Sequence, residues 1–92
     1  MIRLRGHLVC VTDDEAQAVR ANLAQHVALT RAEAGCLSFE VTPTDDPMVF
    51  EVMETFRTRE DFNAHQTRTR ASDWFTATRS ILRDFRVEEV GD

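Results

Sequence analysis

His65 is the side chain best suited to moving protons near neutral pH, because an unperturbed imidazole titrates there. It follows Phe62 by three residues, a spacing that puts both on one face of a helix. There it would act as a general base or orient a substrate hydroxyl. The plainer reading is a boundary histidine bonded to backbone or solvent. Glu54 is the second candidate. It alternates with Phe50, Val52 and Phe56, and a carboxylate on an apolar strand face is costly to bury unless paired. Burial would push its pKa toward neutrality and make it a general acid or base. The alternative is a structural salt bridge to an arginine. Trp74, followed by Phe75, offers a flat ring an indole wall and one N–H, or simply fills the core.

Other chemistries lack their signatures. There is no glycine-rich phosphate loop, no CxxC and no HExxH. The three histidines and two cysteines have no metal-ligand spacing, so no metal is expected. Ser38, Ser72 and Ser80 lack the context of an activated nucleophile. Cys36 follows the glycine that is expected to end a helix, where the dipole disfavours a thiolate. His26 lies just off the apolar stripe of its helix, and His7 shares a strand face with Arg3 and Arg5; neither is expected to be catalytic. All eleven basic residues are arginine, and the absence of lysine excludes Schiff-base chemistry.

Positioning these residues requires a sheet and helices. Ile2, Leu4, Leu8 and Cys10 alternate with Arg3, Arg5, His7, Val9 and Val11, which is a strand. Thr12-Asp13-Asp14-Glu15 reads as a capping box. The helix it opens carries Ala16, Val19, Leu23, Val27 and Thr30 to about Ala34, with Gly35 as the residue beyond its end. Residues 36–42 form a strand with Leu37, Phe39 and Val41 on one side. The Pro43–Pro47 turn leads into a strand from Met48 to Phe56. Thr58 caps a second helix, which the polar stretch 67–71 would break. Ser72-Asp73 caps a third, holding Trp74, Phe75, Ala77, Thr78, Ile81 and Leu82. Phe85 to Val90 is the last strand. The order β-α-β-β-α-α-β implies an α+β, ferredoxin-like fold: a four-stranded antiparallel sheet with helices on one face.

Ninety-two residues suit one domain spanning 1–92 with a thin core. A net charge of −5 and the lack of a basic tract argue against nucleic acid and anionic membranes as partners. No apolar run nears the ~18 residues of a membrane helix, and no segment reads as a signal peptide. Two cysteines make no disulfide framework. A cytoplasmic protein is the expectation. The helices can cover only one sheet face, yet Val9, Val11, Val49 and Met53 lie on the other. A second copy packed sheet to sheet, a homodimer, is the expected cover.

The stretch Arg31-Ala32-Glu33-Ala34-Gly35-Cys36-Leu37-Ser38-Phe39-Glu40-Val41 resembles the "E-P-G-C-L-x-[FY]-E" segment of the antibiotic biosynthesis monooxygenase family. The Asp46-Pro47 turn, the Phe50–Phe56 strand with Glu54, and Asp61-Phe62-Asn63-Ala64-His65-Gln66 resemble its later blocks. The likeness runs over about residues 2–90. It implies a dimeric α+β barrel with a pocket between helices and sheet. It also implies oxidation of a small electron-rich aromatic, of quinol or anthrone type, by molecular oxygen with no cofactor. His65 matches the family's helix histidine and Glu54 its strand glutamate, so these are the candidate catalytic residues. Trp74, Phe62, Phe39 and Phe56 are the candidate substrate-binding residues. The chain departs from the family in Ala34, where proline is common, in a longer 67–73 segment without a second histidine, and in having no tyrosine. The alternatives are a non-catalytic dimeric module binding a small hydrophobic ligand, or an isomerase on the same scaffold. Catalysis requires a perturbed His65 or Glu54 facing a cavity.

Overall fold

A computed structural model of the chain describes residues 1–91. The elements run β1 (Ile2–Val9), α1 (Asp13–Arg31), β2 (Cys36–Pro43), β3 (Val49–Phe56), α2 (Arg59–Arg70), α3 (Asp73–Thr78) and β4 (Leu82–Glu89). The four strands form one antiparallel sheet in the order β2-β3-β1-β4. This is the α+β, ferredoxin-like architecture expected from the sequence. The core lies on the helix side, where Ile2, Leu4 and Leu8 of β1 meet Phe50, Val52 and Phe56 of β3 and Phe39 and Val41 of β2. Among the described residues, no helix is long and apolar enough to cross a membrane.

Each helix begins on a side-chain cap. Thr12, Thr58 and Ser72 accept from the backbone N–H of Glu15, Asp61 and Phe75, at 3.1, 3.1 and 3.2 Å. Glu15 completes the α1 cap by accepting the N–H of Val11 at 2.8 Å.

The ends of elements differ from the sequence reading. Helix α1 stops at Arg31, short of Ala34. The Arg31 guanidinium donates to the Phe39 carbonyl at 2.9 and 3.1 Å, and Glu33 N–H closes a tight turn onto Thr30. Gly35 is therefore part of a turn into β2. It has φ of 84°, and a Cβ there would collide with the Asp61 carboxylate. Leu37 is not on the inner face with Phe39. The strand bulges between Cys36 and Ser38, which turns Leu37 out to 57% exposure. The polar stretch 67–70 does not break α2, which continues to Arg70. Helix α3 ends at Thr78 and does not include Ile81 and Leu82. The Arg83 side chain takes the carbonyls of Thr78 and Ile81, and Leu82 already opens β4. Gly6 sits on the inner face of β1 between Leu4 and Leu8. A Cβ there would strike the backbone carbonyl of Asp84 on β4.

Candidate functional site

The site forms where α2, α3 and the end of α1 lie over the sheet. His65 projects from α2 and is 2% exposed. Its Nδ1 lies 2.7 Å from Glu33 Oε1, across the turn that follows α1. Arg68, one turn further along α2, donates to the same Glu33 oxygen at 3.2 Å and to Thr30 Oγ1 at 2.9 Å. Burial alone would raise the Glu33 pKa. The hydrogen bonds from Arg68 and His65 outweigh it and hold the carboxyl below its ordinary value. Glu33 is then an anion that accepts from Nδ1–H. That fixes the His65 tautomer and makes Nε2 the ring's acceptor. Burial lowers the His65 pKa against the opposing pull of Glu33, so the ring is neutral at pH 7.

Nε2 faces two further groups. The Thr69 hydroxyl donates to it at 3.3 Å, and Glu54 Oε1 is 3.5 Å away. The second distance is electrostatic contact rather than a hydrogen bond, and Glu54 Oε1 has no hydrogen-bond partner among the described residues. Glu54 is 6% exposed, and no arginine pairs with it among the described residues. Burial, reinforced by the negative charge of Glu33, pushes its pKa up to about 7. A carboxyl that titrates near neutrality beside a neutral imidazole can take or give a proton there.

These groups open onto a cavity of about 180 Å³ between helices and sheet. Its floor is apolar: Leu4, Leu8, Phe39, Val41 and Val52. Glu54, His65 and Thr69 form one polar side, and Trp74 and His26 form a wall. Glu33 does not reach the cavity, so the Nε2 side of His65 is the side turned toward it. His26 stacks on Trp74 with ring centroids 4.7 Å apart and planes 2° from parallel, and meets Phe39 edge-on at 5.3 Å. Burial pulls its pKa down to about 4, so it is neutral, and its buried Nδ1 has no partner among the described residues.

Of the residues singled out in the sequence, His65, Glu54, Trp74 and Phe39 line one cavity. Phe56 and Phe62 do not. They pack on each other at 5.8 Å, with Phe56 against the His65 ring at 4.8 Å, and so support the histidine from behind. Sequence reasoning gave no role to Glu33 and read His26 as peripheral to the apolar stripe. The signal for Glu33 was present, as the glutamate of the segment before Gly35. For His26 it was the register 16-19-23-26/27-30, which buries 26 as readily as 27. Burial pushes the thiols of Cys36 and Cys10 up, away from the reactive thiolate form.

A ferredoxin-like sheet whose helices cover a small cavity, with a carboxylate-backed histidine at its side, defines the domain as α+β. Residues 1–77 match the sequence pattern of antibiotic biosynthesis monooxygenases, and the chain belongs to that family. Solved structures agree in fold. A candidate antibiotic biosynthesis monooxygenase from Deinococcus radiodurans is 23% identical with a TM-score of 0.79, covering 100% of this chain and 94% of that one. One from Chloroflexus aurantiacus is 22% identical with a TM-score of 0.75, covering 99% and 94%. One from Nitrosomonas europaea is 19% identical with a TM-score of 0.75, covering 98% of both chains. At these identities the likeness establishes the fold. No curated protein matches the chain. Family membership supports a monooxygenase as the class of activity.

Proposed function

We propose that the chain oxidises a small, single-ring quinol with molecular oxygen, with no resident cofactor, and that His65 is its base. The observation that carries this reading is the Glu33–His65 pair: a neutral imidazole, its tautomer fixed from behind, turns its acceptor Nε2 toward a cavity of ring size, where a substrate hydroxyl would replace that of Thr69. An engineered cavity of about 150 Å³ holds one benzene ring. A volume of about 180 Å³ therefore suits one substituted ring better than the three fused rings of an anthrone.

The residues have these parts in the reaction. The ring lies on the apolar floor beside Trp74, with a hydroxyl at His65 Nε2. His65 takes the phenolic proton, and anionic Glu33 stabilises the imidazolium that results. The electron-rich phenolate passes one electron to O2, and the two radicals join to form a C–O bond on a ring carbon. The hydroperoxide then loses water. One oxygen atom stays on the ring and the other leaves, so hydroquinone and O2 give hydroxybenzoquinone and H2O. The substrate supplies all four electrons. Glu54, near its own pKa at neutrality, returns a proton to the departing oxygen. The apolar floor of Leu4, Leu8, Phe39, Val41 and Val52 keeps bulk water from that side of the peroxide.

Both His65 and Glu54 face the cavity with displaced pKa values, which weighs against a purely ligand-holding module. The same reading puts a second copy against the open sheet face. Met53 and Leu82, exposed there at 42% and 61%, support it.

The test is oxygen uptake by chelator-treated protein with a panel of single-ring hydroquinones, followed by product analysis. Turnover above autoxidation that is lost in His65→Ala is the expected result. Turnover unchanged by that substitution would remove His65 as the base.

A further inference from the structure

Two arginines line the same cavity as His65 and Glu54, and neither has a carboxylate partner among the described residues. Arg83 comes from β4, where its register against Leu8 puts it on the helix side of the sheet. It is half-buried, and burial lowers its pKa, a sign that its charge lacks full solvation. Its Nη1 donates to the carbonyls of Thr78 and Ile81 at 2.9 and 3.1 Å, and its Nη2 to Thr78 Oγ1 at 2.8 Å. The guanidinium also lies over the Phe75 ring, 5.6 Å from its centroid. The group is thus rigidly held, yet three of its five donors are used and two, one of them on Nε, are open. Arg70 is the second arginine, from the last turn of α2. It is exposed and shares a helix face with Gln66.

What sets Arg83 and Arg70 apart from the other arginines without a carboxylate partner is that both line the one cavity that holds His65 and Glu54. We propose that the molecule bound in this cavity carries an anionic substituent, of carboxylate class, on its aromatic ring. The carboxylate meets the open donors of Arg83, with Arg70 closing over it, while the ring hydroxyl points to His65. A planar fork of donors suits a carboxylate bidentately. This deepens the oxygenase reading and rests on it for the orientation of the ring.

Trp74 is the sole tryptophan, tyrosine is absent, and the indole lines the cavity, so intrinsic fluorescence reports directly on binding. The experiment is an anaerobic titration with hydroquinone and with 2,5-dihydroxybenzoate at pH 7 and low salt. The carboxylated ring is expected to bind about tenfold more tightly, the worth of one charge-assisted contact. Raising the salt should weaken its binding and leave hydroquinone unaffected. Arg83→Gln and Arg70→Gln should each reduce the preference for the carboxylated ring. Should Arg83→Gln fail to fold, as loss of its grip on α3 would allow, Arg70→Gln and the salt series decide. Equal affinities, no response to either ligand, or a preference insensitive to both Arg70→Gln and salt would overturn the proposal. Carboxylate-selective binding without oxygen uptake would keep it and remove the oxygenase reading. Oxygen uptake on hydroquinone with no gain from the carboxylate would do the reverse.

Discussion

The two faces of the sheet carry the same kinds of charge to opposite effect. On the open face, Glu88 of β4 sits 3.6 Å from Arg3 and 3.5 Å from Arg5, with all three side chains a third to a half exposed. Water and salt screen such pairs, and their net worth is small. On the helix face, Glu33, Glu54 and His65 lie among Phe39, Phe56 and Trp74 with almost no exposure of the ring or of Glu54. There the pKa values move: Glu33 down, Glu54 up, His65 down. Removing water is what turns an ordinary acid and base into groups able to exchange protons at neutral pH.

The largest effect expected from this contrast is on turnover. His65→Ala should lower the rate of oxygen uptake by about 10²- to 10⁴-fold, the usual share of a positioned base. Glu33→Gln keeps the shape but removes the negative charge that fixes the tautomer and stabilises the imidazolium. It should cost less, about 10- to 100-fold, with the His65 pKa falling further. Activity retained in Glu33→Gln would mean that the pair holds structure only.

Next comes stability. Glu54 is protonated in the fold up to about pH 7, against 4.5 for an ordinary glutamate. A raised carboxyl contributes fully below pH 4.5, and that contribution is lost as pH rises through 7. Glu54→Gln should therefore stabilise the protein at pH 8 by about 1–3 kcal/mol and leave it unchanged at pH 4. Denaturant unfolding at the two pH values reads the difference. A pH-independent effect would contradict the buried carboxyl. The smallest effect belongs to the open face, where Glu88→Gln should change unfolding stability by less than about 0.5 kcal/mol at any salt. A larger loss would erase the contrast between the faces.

The sequence disclosed the parts of this arrangement that local physics controls. The alternation in β1, the caps at Thr12, Thr58 and Ser72, and the turn at Pro43–Pro47 depend on neighbours a few residues apart. The bulge at Leu37 inserts one residue into a period-two pattern, which the pattern itself does not announce. Ile81 and Leu82 continue a helical spacing as well as they start a strand, and the arginine that ends α3 follows in the strand itself. His65 and Glu54 stood out because each is polar on an apolar face. Glu33 did not, because its meaning lies in a partner 32 residues away. His26 was hidden for the same reason: its partner Trp74 lies on another helix.

The proposed chemistry turns on the state of one ring, which nitrogen-detected NMR of the histidine side chains reads. At pH 7 His65 is expected to be neutral, to carry its proton on Nδ1, and to titrate below 6.5, the ordinary histidine value. An imidazolium at pH 7, or a proton on Nε2, would contradict that chemistry: the lone pair facing the cavity would not exist, and the base would have to be sought elsewhere.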